Sequence, residues 1–187
     1  MRSEIDNVDS IGLQQQLDLK FGAGVFAVVV DAAAHKFYLE YADGVDAALA
    51  SQALELAVNE ANRKLSETRR RLHDQIDRMS QKTIARYSPK PPSSQVLDLA
   101  SAWLADTLQP CPAELTKTAM LAGTTPIQAA QNITAAGLAY QTFLVNVAQQ
   151  RDQSLQDLLT AETVAELKST ATVAATYFND LEKSFTR

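Results

Sequence analysis

The stretch QNITAAGLAYQTFLVNVAQQ, residues 131–150, contains no charged side chain. It lies inside a longer run, Thr118 to Gln150, of 33 residues without Asp, Glu, Lys, Arg or His. Thr125-Pro126 is a helix start signal, and the pattern predicts a helix reaching about Leu158. Ile133, Gly137, Tyr140, Leu144 and Val147 advance in alternating steps of four and three. Leu138, Val145 and Ala148 form a second stripe beside them. Gln, Asn and Thr fill the remaining face, where a helix of a solvated monomer usually carries charge. The run is therefore expected to be a packed helix of a mainly α protein, with its polar face turned to other protein rather than to water.

The segment after it fits that expectation. Val164, Leu167, Ala171, Ala174, Phe178, Leu181 and Phe185 keep a 3,4 rhythm to the end of the chain, the most regular heptad in the sequence. The two segments are predicted to form a C-terminal antiparallel helical hairpin or bundle. The uncharged run is not expected to enter a membrane. Gln131, Asn132, Gln141, Asn146 and Gln149 interrupt it, and no cluster of Lys or Arg flanks it.

Upstream, residues 45–87 are predicted to form one long, coiled-coil-like helix. Leu54, Val58, Ala61, Leu65, Leu72 and Met79 fit a heptad, with Thr68 and Gln75 as its weaker members. Acid-to-base pairs repeat at i,i+4 on the same period: Glu60 to Lys64, Glu67 to Arg71, Asp74 to Arg78. SPKPPSSQ then places three prolines within four residues, so residues 88–94 are expected to be a stiff linker. Residues 95–187 would form the C-terminal helical domain. It opens with an amphipathic helix carrying Val96, Leu99, Trp103 and Leu104, and continues with a short helix from Pro112 to Ala122, closed by Gly123.

The N-terminal 44 residues read differently. The first ten look like an arm, and IGLQQQLDLKF suggests a short helix stopped by Gly22 and Gly24. Val25–Val30 and Phe37–Tyr41 are β-branched and aromatic runs, separated by Asp31–His35, and predict a β-hairpin. A lone hairpin is not stable in water, so it must pack on a helix or borrow strands.

Charge is unevenly spread. Residues 1–60 carry three basic and ten acidic side chains, residues 61–90 nine basic and three acidic, and the rest five basic and nine acidic. The whole chain, at 187 residues and net charge −5, has no overall attraction to nucleic acid or anionic lipid. The basic segment RKLSETRRRLHDQIDRMSQKTIARYSPK is expected to face solvent or a neighbouring subunit rather than nucleic acid. Part of its charge is matched by acids on its own helix, and it offers no aromatic platform for bases before Tyr87.

No catalytic, cofactor or metal site is expected. His73 and Asp77 share a helix face at i,i+4 but make too few ligands for a metal. His35 falls in a turn. Cys111, between two prolines, reads as a structural cysteine and fits a reducing compartment. FGAGVF lacks the Lys-Ser/Thr ending of a phosphate loop. The acidic start MRSEIDNVDS does not resemble a secretory signal.

The segment TTPIQAAQNITAAGLAYQTFLVNVAQQRDQSLQDLL resembles helical C-terminal segments in tail-fibre-associated and other tail proteins of tailed bacteriophages. It covers about a fifth of the chain. This chain lacks the basic ending such segments often have, and no functional residue carries over. The resemblance implies a virion component of the tail, baseplate or fibre attachment region, assembled in the host cytoplasm. Its partners would be copies of itself and other structural proteins. The expected contact residues are Leu54, Val58, Leu65, Leu72, Met79, Tyr140, Leu144, Val147, Phe178, Leu181 and Phe185. The alternative is a cytoplasmic helical chaperone or adaptor that binds a client through the same helices and is stable alone.

Overall fold

Reciprocal side-chain caps start the two C-terminal helices. At Thr125 the backbone N–H donates to Gln128 Oε1 (3.1 Å), and the Gln128 N–H donates back to Thr125 Oγ1 (3.3 Å). At Thr163 the same exchange is made with Glu166, whose Oε2 accepts from the N–H groups of Glu162 (2.8 Å) and Thr163 (3.1 Å). Each pairing satisfies N–H groups that a helix start leaves unbonded.

The computed structural model describes residues 2–5, 8–34 and 36–185. The elements are β1 (Arg2–Ile5), α1 (Ser10–Phe21), β2 (Phe26–Asp31), β3 (Lys36–Tyr41), α2 (Ala47–Ala85), α3 (Ser94–Ala105), α4 (Ala113–Ala122), α5 (Pro126–Thr160) and α6 (Val164–Phe185). The protein is mainly α, with one small antiparallel sheet of strand order β1-β3-β2. The chain divides into two compact units, Met1–Ile76 with Ser154–Val173, and Asp77–Gln153 with Ala174–Arg187. Helices α2, α5 and α6 contribute residues to both.

In the first unit the hairpin forms as expected, but the arm does not. Residues 2–5 are a third strand, with Ser3 opposite Leu39 and Ile5 opposite Phe37. The alternation explains this. Ser3 and Ile5 are half-buried and Arg2 and Glu4 exposed, so the segment has the period of a strand. It also pairs the edge of β3 that a two-stranded hairpin would leave open. The inner face of the sheet, with α1, covers the start of α2. Val8, Leu13, Leu17, Phe26, Leu39, Ala53, Ala57 and Ala61 form one buried core. Phe26 meets Phe21 and Tyr41 edge-on at 5.0 and 5.8 Å between ring centroids.

That core places the buried stripe at the start of α2 one residue before its predicted place, and the two coincide again at Ala61. Ala53 and Ala57 are buried, whereas Leu54 is half-buried and Val58 is 52% exposed. Small side chains let α2 come close to the sheet, and the larger residues beside them are displaced sideways. Further along, Leu72 is buried as the pattern implies, but it is joined by Ile76 while Gln75 is exposed. At its far end α5 is capped from α2. Arg69 Nε donates to the Leu158 carbonyl and Nη2 to the Ala161 carbonyl, both at 2.8 Å.

In the second unit α2 runs antiparallel to α5. Asp77 accepts from Arg151 Nε at 2.6 Å, and ten residues on, the Tyr87 ring lies 4.6 Å from that of Phe143 and 4.9 Å from that of Tyr140. Glu182 of α6 accepts from Thr83 Oγ1 (3.2 Å) on α2 and from Arg86 (2.7 Å) just past its end. Helices α3 and α4 close over the start of α5 through Ala100, Leu115 and Ala130, with Leu99, Trp103, Leu104, Cys111 and Ile133 packed around them. Gly137 allows α3 its approach, since a Cβ there would lie 2.1 Å from Leu97 Cδ2. Gly123 ends α4 in the left-handed conformation, φ 65°, and its N–H bonds back to the last turn.

Candidate functional site

The residues expected to make contacts fall into three environments. Leu72, Val147 and Phe178 are buried within the chain itself. Leu54, Leu65, Met79, Tyr140, Leu144 and Leu181 are half-buried, and Val58 is exposed. The Phe185 side chain lies outside the described residues, as does His35. The α6 rhythm coincides with the buried face from Val164 through Leu167, Ala171 and Ala174 to Phe178.

The outer face of α5 is exposed. Between Ile127 and Gln149 its exposed positions are Ile127, Gln128, Gln131, Asn132, Ala135, Leu138, Ala139, Gln141, Thr142, Val145, Asn146, Ala148 and Gln149. None is charged. Leu138 is 65% and Val145 52% exposed, and with Ile127 they recur at spacings of 11 and 7, close to whole turns. Met120 and Leu121 of α4 are also exposed. The face ends in a shallow groove of about 250 Å³ lined by the amides of Asn146, Gln149, Gln150 and Gln153 and the ring of Tyr177. Carboxamides carry both donors and acceptors, so such a groove suits a polar, uncharged surface.

A second concavity, about 540 Å³, lies in the first unit between Val8, Asp9, Ser10, Val30, Phe37, Arg63, Lys64 and Glu67. Its cations are engaged. Arg63 Nε donates to Glu60 at 2.8 Å and Nη1 to Glu67 at 2.6 Å, which raises the guanidinium pKa and holds the buried Glu60 carboxyl below its ordinary range. Glu60 also accepts from Gln16. Lys64 Nζ donates to the Val8 carbonyl at 2.8 Å and lies 5.8 Å from the centre of the Phe37 ring. Burial pushes its ammonium pKa down.

The basic segment separates into distinct jobs. Arg69 caps α5, and Arg63 sits between two glutamates. Arg70 and Arg71 are exposed. His73 is exposed, and the Asp77 carboxylate four residues on accepts from Arg151. Cys111 is half-buried against α3 and α4. Among the described residues no three His, Cys, Asp or Glu side chains converge, and no helix is long and apolar enough to cross a membrane. Comparison with protein-family models, with curated proteins and with solved structures found no match to this chain.

Proposed function

We propose that this protein is a structural component of a multi-subunit particle, most specifically a virion protein of the tail, baseplate or fibre attachment region of a tailed bacteriophage. The observation that carries the reading is the uncharged outer face of α5, with Ile127, Leu138 and Val145 exposed among Gln, Asn, Thr and Ala. In water such a face gains nothing from its lack of charge. Against protein it avoids the desolvation cost of burying ions, and its amides can still bond. The resemblance of residues 124–159 to phage tail segments supports the virion setting. The role is architectural: the helices supply rigid faces and no side chain is assigned chemistry.

Mass spectrometry of purified tailed particles made in cells that carry the gene tests this. The chain should be a stoichiometric particle component. Replacing Leu138 and Val145 together by Lys should leave a folded chain that no longer enters particles. Recovery of the wild-type chain only outside particles, bound to an unassembled client, would sink the virion reading and favour the chaperone or adaptor.

A further inference from the structure

The two edges of the sheet are not alike. Residues 26 and 28 of β2 point their main-chain groups away from β3, and one carboxamide occupies them. Gln14 Nε2 donates to the Phe26 carbonyl (3.0 Å), and the Val28 N–H donates to Gln14 Oε1 (2.8 Å). Gln14 thus imitates a neighbouring strand and blocks that part of the edge. The register then determines the other edge. If Val28 points outward, Ala27, Val29 and Asp31 bond to Glu40, Tyr38 and Lys36, so Phe37, Leu39 and Tyr41 turn their groups toward β1. Ser3 and Ile5 meet Leu39 and Phe37 there. The main-chain groups of Arg2 and Glu4 therefore point outward.

We propose that β1 pairs antiparallel with β1 of a second copy about a twofold axis at Ser3, joining two three-stranded sheets into one of six strands. The pairing places Arg2 opposite Glu4 of the second copy, twice. Both are residues whose N–H and carbonyl groups face out, so they form hydrogen-bonded pairs, with Ser3 opposite Ser3 as the non-bonded pair between them. Their side chains lie on the outer face of the sheet, where Glu4 already accepts from Lys36 (2.9 Å) and the Arg2 guanidinium stacks on Tyr38 (4.5 Å). A short, charged edge strand ordinarily guards a sheet against its own kind. Here the twofold sets opposite charges face to face, so the same residues select for self-pairing in one register. The interface is small, and the dimer should be reversible in dilute solution and completed by local concentration in an assembly. The inference does not rest on the virion reading.

Disulfide trapping in the full chain tests it, after Cys111→Ser removes the one native cysteine. Opposed non-bonded residues have Cα atoms about 4.5 Å apart, within disulfide range. Ser3→Cys should therefore cross-link to itself under mild oxidation. Ile5→Cys should not, because two copies of position 5 would lie roughly 14 Å apart at about 3.4 Å per residue. Added to Ser3→Cys, Glu4→Pro removes an outward N–H that pairs with no other strand of its own sheet, and should lower the cross-linked yield at least tenfold with unchanged circular dichroism. Arg2→Glu in the same background should also lower it, and Arg2→Glu with Glu4→Arg should restore it. Absence of cross-linking at position 3, equal cross-linking at positions 3 and 5, or indifference to both the proline and the charge reversals would overturn the proposal. Loss of particle incorporation alone would leave these results unchanged and bear only on the virion reading.

Discussion

Arg69 binds the end of α5 by its main chain, with Nε on the carbonyl of Leu158 and Nη2 on that of Ala161, each at 2.8 Å. The last carbonyls of a helix have no partner within it and carry the negative end of its dipole. A guanidinium held there supplies both hydrogen bonds and charge. The bonds are also long in sequence, joining the middle of α2 to the loop before α6.

Arg69→Ala should therefore destabilise the protein by about 1.5–3 kcal/mol, the range for hydrogen bonds made by a charged group. Arg70→Ala and Arg71→Ala, both exposed, should stay within about 0.5 kcal/mol of wild type. Urea unfolding of the three single variants decides the matter. Equal effects at all three positions would mean that the segment acts as a uniform basic patch and that the cap contributes nothing.

Gly137 and Leu97 make a second testable pair. A Cβ at position 137 would meet Leu97 Cδ2 at 2.1 Å, so even alanine forces the leucine aside. Gly137→Val should cost about 1–3 kcal/mol, the usual range for overpacking. Leu97→Ala introduced with it should recover part of that loss, because it removes the clashing atoms. A double variant whose loss equals the sum of the singles would show that α3 and α5 do not meet at this pair.

Three glutamates give the stability a pH dependence of known sign. Arg63 holds the Glu60 carboxyl low, Arg86 that of Glu182, and the N–H groups of Glu162 and Thr163 that of Glu166. A carboxyl whose pKa is lower folded than unfolded binds fewer protons when folded. Its contribution is complete above the unfolded value, near 4.5, and fades as pH falls through the folded value. The urea midpoint should hold between about pH 7 and 5 with respect to these groups and fall below about 4.5. Glu60→Gln should be less stable than wild type at neutral pH, and the gap should narrow as pH falls. A gap constant from pH 7 to 3 would exclude the ion pair as its source.

The sequence disclosed the helices better than their partners. The Thr125-Pro126 start, the proline break after α2 and the α6 heptad are local signals, each made by residues within a turn or two of one another. The third strand was hidden because four residues of alternating character, Arg2 to Ile5, are too few to distinguish from a polar arm. The shift of the α2 stripe from Val58 to Ala57 was hidden for another reason. Hydrophobicity alone favours valine over alanine, whereas close approach of a sheet favours the smaller residue. The open edge of β1 and the Gln14 cap on β2 depend on register, which a sequence does not print. The uncharged face of α5, by contrast, was legible at once, since it consists of what the chain omits.

Two substitutions separate the interior from the offered surface. Phe178 is 2% exposed within the single chain, so Phe178→Asp buries an ion without a partner and should cost on the order of 3–5 kcal/mol, enough to remove a cooperative melt from a marginally stable domain. That loss should occur at any protein concentration. Leu138 and Val145 are more than half exposed, and replacing both by Lys should move the melting temperature little. Two ammonium groups placed on an uncharged face would nevertheless have to be desolvated wherever that face is covered. The double-Lys variant should therefore fold as wild type and fail to assemble, whereas the Phe178 variant should fail to fold. Scanning calorimetry of the isolated chains, run beside particle incorporation, distinguishes them. A double-Lys variant that assembles normally would show that the face of α5 meets only solvent.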